Sequence, residues 1–183
     1  KRPITFEEYL QFDEKSRENL GEELPVLVYR MLEYSLVYEP PQSPVLTPIP
    51  LTDLQLTLTE HLDFLHLAGF QTLETFAPIS GQINGDETSL KRLFQNLFSN
   101  ILKYGDKSEP VTLQFCVRNG ACQILLSNAV KPVHSDIESN RIGLKSAEKI
   151  AELHHGTLAF RQTDEKQFIV SVTLPVFSHK NGT

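Results

Sequence analysis

Two asparagines and a lysine occupy positions from which a single helix would present them side by side. Asn96, Asn100 and Lys103 follow one another at steps of four and three residues, so on a helix they share one narrow stripe. Two carboxamides and an amine beside a buried face suit a phosphate group and a hydrated metal ion, which a plain core helix does not need. Apolar residues recur at helical spacing on another face of the same stretch: Leu90, Leu93, Phe94, Leu97, Phe98, Ile101 and Leu102.

The elements that must position this helix follow one another as alternating helices and strands. Helices combined with antiparallel hairpins predict an α+β fold, a two-layer sandwich with helices on one side of a sheet. Cap and turn residues mark the boundaries. We predict a first helix that begins at Thr52 or Asp53 with Leu54, Leu58, Leu62 and Leu65 inward, followed by strands at 71–77 and 79–84 and a second helix capped by Asp86. A hairpin of Val111–Val117 and Cys122–Ser127 then turns at Asn119-Gly120. A third helix, Ile142–His155, is closed by Gly156, and Thr157–Gln162 and Gln167–Leu174 form the last hairpin.

The first part of the chain has a different character. Residues 6–20 read as a charged helix with Thr5 and Glu8 as its capping box, and residues 24–36 carry an apolar seam suited to a partner helix. Prolines then follow closely, which ends the helix and favours a stiff connector. We therefore predict a helical segment at 1–39, a linker at 40–50, a folded domain at 51–177 and a disordered tail at 178–183. The apolar seam at 24–36 either pairs with a second copy of the chain in a dimer or packs on the folded domain. The proline-rich linker favours the first alternative, a helical bundle separate from the folded domain.

Composition sets mild bounds on function. The net charge of −6 and the pI of about 5.5 argue against a nucleic-acid partner, because phosphate backbones require a basic surface. Cys116 and Cys122 flank a turn and have no metal-ligand spacing, which is typical of reduced thiols. No apolar run is long enough for a membrane span. The chain does not begin with Met, so we expect a fragment with an anchor upstream.

Two motifs resemble the catalytic, ATP-binding domain of bacterial sensor histidine kinases of two-component systems. The stretch from Asn96 through Asn100 and Lys103 to Tyr104, after Gly85-Asp86, is similar to the family's N box. Arg141-Ile142-Gly143-Leu144, followed by the helix that ends before Gly156, resembles its last glycine box. The resemblance spans roughly residues 45–177 and implies the histidine-kinase ATPase fold after a dimerisation segment. It implies that Asn100 holds Mg²⁺ with support from Asn96, and that Lys103 and Tyr104 reach the phosphates and ribose.

Two positions depart from the family pattern. Asn128 stands where the family has an Asp that accepts a hydrogen bond from the adenine amino group, and its carbonyl oxygen is still an acceptor. Arg141 replaces the first glycine of the glycine box, and Gly143, before Leu144, is the only glycine left to offer free backbone amides to phosphate. Arg141 either supplies charge in place of the lost amides or closes the pocket.

The function implied by this resemblance is that of the cytoplasmic part of a membrane-anchored sensor histidine kinase. Such an enzyme binds ATP and Mg²⁺, phosphorylates a histidine and passes the phosphoryl group to a response regulator protein. The acceptor histidine is expected upstream, because His61, His66, His134, His154 and His155 suit structural or surface roles. Partners would be a second copy, through the helical segment, and the response regulator. The alternatives are a degenerate relative without ATP binding, acting in phosphotransfer or docking, and an unrelated α+β interaction domain.

Overall fold

A computed structural model describes residues 45–131, 137–163 and 166–177, with residues 137–142 described by their backbone only. Three helices alternate with seven strands in this part of the chain. The prediction of an α+β fold is confirmed. In chain order the elements are β1 (Thr47–Pro50), α1 (Leu51–Leu67), β2 (Thr72–Phe76), β3 (Gln82–Gly85), α2 (Glu87–Tyr104), β4 (Val111–Arg118), β5 (Ala121–Ala129), α3 (Ile137–Leu153), β6 (Thr157–Gln162) and β7 (Gln167–Pro175).

Five of the strands form one mixed sheet in the order β2-β4-β5-β7-β6, and β1 pairs with β3 in a separate two-stranded ladder. β2 runs parallel to β4, while the remaining neighbours are antiparallel. Alternate residues of β5 and β7 are buried, as expected when helices cover only one face of a sheet. The helical layer therefore lies on the side to which Ile124, Leu126, Val170 and Val172 point.

The helices bury the predicted apolar faces. Leu54, Leu58, Leu62 and Leu65 of α1 are all buried, and in α2 the buried set includes Leu90, Leu93, Phe94, Leu97, Phe98 and Ile101. Helix α2 packs between α1 and α3. Phe94 and Phe98 are among the largest fully buried side chains, so α2 is the central element of the helical layer.

Local chemistry explains two of the predicted boundaries. The Asp86 carboxylate accepts a hydrogen bond from the Ser89 backbone N–H at 2.7 Å, which satisfies a free donor in the first turn of α2. Asn119 and Gly120 both have positive φ, 52° and 72°, as a type I′ hairpin turn between β4 and β5 requires. Burial alone would raise the pKa of Asp86, but hydrogen bonds from Ser89 and Val45 hold it below its usual value.

Two predicted helix ends are wrong in detail. α1 begins at Leu51 after Pro50 and has no side-chain cap, so neither Thr52 nor Asp53 starts it. The Leu51 N–H instead donates to the Gly81 carbonyl at 3.1 Å, which satisfies one of the donors left free at the start of a helix. At the end of α3 the left-handed residue is His155, with φ 57°, and not Gly156. The Gly156 N–H donates to the Ala151 carbonyl at 2.9 Å, which is the pattern of a Schellman ending.

Gly156 is nevertheless required, for a steric reason. A Cβ placed on it would lie 2.2 Å from the Thr173 carbonyl oxygen of β7. The glycine therefore permits close approach of two backbones rather than an unusual φ.

Two further expectations change. α3 begins at Ile137 and not at Ile142, because nothing between these residues prevents a helix and an interior glycine costs only about 1 kcal/mol. The predicted linker 40–50 ends in a strand, since Thr47–Pro50 pairs with β3; prolines are tolerated on such an edge strand.

Cys116 and Cys122 are free, and Cys122 pairs with Val117, so the two thiols lie on opposite faces of the hairpin.

The helical segment 1–39 and the tail 178–183 lie outside the described residues. Within the described part, no helix is long and apolar enough to cross a membrane.

Candidate functional site

Two backbone hydrogen bonds join the end of α2 to the end of β5. The Lys131 N–H donates to the Tyr104 carbonyl at 2.9 Å, and the Asp106 N–H donates to the Ala129 carbonyl at 2.8 Å. These bonds join two segments that are distant in sequence. They bring the end of the helix that carries the polar stripe beside the strand end that carries Asn128.

The polar stripe lies at the boundary between core and solvent. Asn96 and Asn100 are half-buried and Lys103 is exposed, while Leu97 and Ile101 on the same helix are buried. The Asn100 Nδ2 atom is buried and has no hydrogen-bond partner among the described residues. A buried amide without a partner is unfavourable by about 1–3 kcal/mol, so it is a position where a polar ligand would add stability.

Asn128 is 3% exposed and points toward the helical layer, because its neighbours on the same face of β5 are buried. Its Nδ2 donates to the Ala129 carbonyl at 2.8 Å. This bond uses a donor of the amide and leaves Oδ1 as the acceptor. The group that Asn128 presents therefore matches the accepting role expected of the family's Asp, without the charge.

Two lysines flank this junction. Lys131 follows β5, and the carbonyl of Lys166 accepts a hydrogen bond from the Val130 N–H at 3.0 Å. Hydrogen bonds from Ser108 hold the pKa of Asp106 below its usual value, and Lys131 and Lys166 add a weaker electrostatic contribution in the same direction. Positive charge is thus available beside the last turn of α2.

The glycine-box residues, Arg141 to Leu144, all lie within α3. Gly143 is part of this helix, and a Cβ there would meet nothing within 4 Å. Leu144 is 4% exposed and belongs to the core. Amides inside a helix donate to carbonyls four residues back, so they do not form an open phosphate cradle here. The Arg141 side chain is outside the described part of the structure.

A buried histidine joins the start of α2 to the end of α3, and the sequence alone did not indicate which residues it bonds. His154 is 3% exposed; its Nε2 accepts from the Asp86 N–H at 2.9 Å, and its Nδ1 lies 2.7 Å from the Ile150 carbonyl. Gly85 leaves room for this ring, since a Cβ there would lie 3.1 Å from His154 Cδ2. His154 thereby has the structural role expected of it.

Another surface feature lies away from the polar stripe. A groove of about 180 Å³ is bordered by β1, α1 and the first turns of α2, with Pro50, Leu54, Glu87 and Lys91 among its lining residues. Lys91 and Glu87 form an ion pair at 2.7 Å. Neither Asn100 nor Asn128 lines this groove, so it is a separate feature from the candidate site.

The donor set beside α2 suits Mg²⁺ bound together with phosphate. Among the residues that the structure describes, no group of three His, Cys, Asp or Glu side chains could hold a metal by itself. Mg²⁺ commonly keeps several waters and takes one or two protein ligands plus substrate phosphates. Asn100 and Asn96 fit that limited role, whereas a closed metal cage does not.

Sequence comparison finds a sensor histidine kinase among the proteins similar to this chain. No protein-family model matches the chain. The sensor histidine kinase YrkQ of Bacillus subtilis is 29% identical over 118 residues, which cover 62% of this chain and 26% of that protein. The chain therefore spans about a quarter of the length of this relative.

Structural comparison points to the same class. The catalytic domain of histidine kinase ThkA has a TM-score of 0.58 at 14% identity, covering 72% of this chain and 97% of that one. Full-length ShkA in complex with AMPPNP has a TM-score of 0.61 at 14% identity, covering 97% of this chain and 40% of that one. At these identities the likeness establishes the fold alone. Taken with the sequence match, the chain is similar to bacterial sensor histidine kinases and has the α+β fold of their catalytic domain.

Proposed function

We propose that the chain is the cytoplasmic part of a sensor histidine kinase that binds Mg-ATP and phosphorylates a histidine located upstream of Lys1. The observation that carries this proposal is the position of Asn100. Its buried amide lies near the end of α2, and backbone hydrogen bonds join that end to the end of β5, where Asn128 lies. In this proposal, the magnesium ligand and the acceptor for the base belong to the same junction.

Each residue of this junction has a defined role in the proposal. Asn100 ligates Mg²⁺ through its side-chain oxygen, Asn96 supports the same ion or its waters, and Lys103 pairs with phosphate oxygens. Tyr104 packs beside the ribose and phosphates. Asn128 accepts a hydrogen bond from the adenine amino group through Oδ1, the oxygen left available by its bond to Ala129.

The residues of α3 form the opposite wall in this proposal. Arg141 contributes charge near the phosphates, while Gly143 and Leu144 set the approach of α3 to the nucleotide. When bound, Mg²⁺ neutralises phosphate charge. The work of this chain is to position ATP and exclude water, which is the main contribution of a protein to phosphoryl transfer.

Calorimetry of ATP binding with and without Mg²⁺ tests the assignment of Asn100. We expect Asn100→Ala and Asn100→Asp to abolish magnesium-dependent binding, because the first removes the ligand oxygen and the second alters its charge and hydrogen bonding. Asn84→Ala is the control, since Asn84 is an exposed asparagine on β3. An Asn100 variant with unchanged affinity would contradict the assignment.

The alternative is a degenerate relative that keeps the fold without binding ATP and acts in phosphotransfer or protein docking. It is favoured by the helical backbone at Gly143, where the resemblance implied free amides. Thermal unfolding separates the two functions. A hundredfold excess of ATP over its dissociation constant raises the unfolding free energy by about 2–3 kcal/mol, whereas an unchanged melting temperature at high millimolar Mg-ATP supports the degenerate relative.

The partners in this proposal are a second copy of the chain and a response regulator. The seam at residues 24–36 would join two copies, and the phosphoryl group would pass from the histidine to the regulator. Sedimentation of the full chain tests the dimer, since a monomer at tens of micromolar would contradict it. We further propose that this domain faces the cytoplasm.

A further inference from the structure

The groove of about 180 Å³ beside β1 combines apolar lining with exposed charged groups. Ile49, Leu54 and Leu90 contribute apolar surface, and the carboxylates of Asp53 and Glu87, both exposed residues, lie along it as well. A pocket for a small molecule typically measures about 300 Å³ or more, so this groove has room for only one or two side chains. Its size and chemistry suit an aromatic ring that carries a polar tip.

The groove lies at the end of α2 opposite the candidate site. Glu87 is the first residue of α2, and Asn100 lies in the last two turns of the same helix, about 20 Å farther along its axis. A side chain bound in the groove would therefore not contact the polar stripe. What occupies the groove is a question separate from nucleotide binding.

The described part of the chain begins directly beside this groove. The Val45 N–H donates to the Asp86 carboxylate at 3.3 Å, just before the first turn of α2. Thr47 lines the groove and pairs with Gly85 across β1 and β3. The residues that precede Val45 therefore join the folded domain where the groove begins.

The preceding chain carries an apolar pair at a suitable distance. Val37 and Tyr38 follow the predicted seam at 24–36, and a proline-rich connector, residues 39–44, leads from them to Val45. Because an extended proline-rich chain spans about 3 Å per residue, this connector reaches up to about 20 Å. The groove begins beside Val45 and is thus within reach of both side chains.

We propose that Val37 and Tyr38 bind in this groove, with the Tyr38 ring as the anchor. The ring covers the apolar lining, and its hydroxyl donates to the carboxylate of Asp53 or Glu87. The connector is then held to the domain at both of its ends, which restricts the orientation of the folded domain relative to the helical segment. The apolar seam at 24–36 remains available for a second copy of the chain.

A double-mutant cycle on the full chain, measured by chemical denaturation, tests this proposal. Tyr38→Ala removes the anchor, and Thr57→Arg fills the groove, which Thr57 lines. We expect Tyr38→Ala to raise the unfolding equilibrium constant of the folded domain by about tenfold, as the loss of a partly buried aromatic side chain implies. In the Thr57→Arg background the same substitution should have no effect, because the two changes disrupt one contact.

Thr59→Arg is the matched control for the blocked groove. Thr59 lies on the same helix, is also half-buried and does not line the groove. The hydroxyls of Thr57 and Thr59 each donate to a carbonyl four residues earlier, at 3.1 Å in both cases. Tyr38→Ala should act in this background as it does in the unmodified chain. An equal effect in all three backgrounds, or none in the unmodified chain, would overturn the proposal.

Thiol labelling provides a second measurement that does not depend on Tyr38→Ala. In a Cys116→Ser background the remaining native thiol, Cys122, is buried, so the thiol introduced by Val37→Cys is the accessible one. We expect this thiol to react with a maleimide more slowly in the unmodified groove and in Thr59→Arg than in Thr57→Arg. Equal rates in the three proteins would overturn the proposal.

Two further outcomes are decided by the same measurements. Should Thr57→Arg not fold, Asp53→Arg replaces it, since Asp53 lines the groove and is exposed. Protection of the thiol that disappears on dilution would assign the groove to the connector of a second copy, and would overturn binding within one chain.

Discussion

Asn100 illustrates what a single residue type can and cannot reveal. Its spacing from Asn96 and Lys103 identified a polar stripe, which the structure places at the boundary of the core. That its amide nitrogen is buried without a partner among the described residues was not predictable. The periodicity of a helix specifies which side a residue faces, but the depth of burial depends on neighbouring elements.

At the same scale, His61 makes stability depend on pH. Burial lowers the pKa of His61 from 6.5 to about 4, although a hydrogen bond to the Thr57 carbonyl opposes this shift. The folded state thus disfavours the protonated ring. Its stabilising contribution is complete above pH 6.5 and is lost as the pH falls toward 4, by up to about 3 kcal/mol. Denaturant unfolding between pH 4 and 7 should show this decline.

Two substitutions isolate that contribution from other titrating groups. His61→Gln should flatten the decline, since glutamine does not titrate in this range. His66→Gln is the control, because His66 lies on the same helix but is exposed. Equal pH dependence in all three proteins would show that His61 is not the group responsible.

At the scale of elements, α3 differs most from expectation. The sequence predicted that this helix begins at Ile142, whereas it already begins at Ile137. Sequence alone does not distinguish a glycine that starts a helix from one inside it, because the cost of an interior glycine is small compared with the burial of residues such as Leu144 and Ala147.

Gly143→Ala tests the extent of α3. Since Gly143 is helical and a Cβ there meets nothing within 4 Å, alanine should raise the unfolding free energy by about 0.5–1 kcal/mol. Chemical denaturation measures this change directly. A clear destabilisation would mean that residue 143 is not in an ordinary helical conformation.

Gly156→Ala provides the contrasting case at the other end of the same helix. Its Cβ would lie 2.2 Å from the Thr173 carbonyl oxygen, so β7 or the helix end must move. We expect a loss of about 1–3 kcal/mol, measured in the same denaturation series. Similar stability of the two alanine variants would contradict the steric role of Gly156.

At the scale of the whole molecule, strand β1 lies within the segment predicted as a linker. The proline-rich stretch predicted a linker up to residue 50, yet β1 pairs with β3 and Ile49 packs against the core. Proline frequency indicated an extended chain correctly. It did not indicate that the last four residues would find a partner strand, because that partner lies more than thirty positions later.

Truncation tests this boundary. Relative to a fragment that begins at Val45, one that begins at Leu51 should lose about 1–2 kcal/mol of unfolding free energy through the exposure of apolar surface formerly covered by Ile49. Thermal and denaturant unfolding of both fragments provide the comparison. Equal stability would place the boundary where the sequence suggested it.

The sequence by itself determined the α+β class, the apolar face of α2, the cap at Asp86 and the turn at Asn119-Gly120, because periodicity, capping and turn geometry act over a few residues. Only the tertiary structure decided the pairing of β1 with β3, the hydrogen bonds that join α2 to β5, the bridge made by His154 and the groove beside β1. Those features join residues far apart in the chain, and their geometry follows from how the sheet and helices pack.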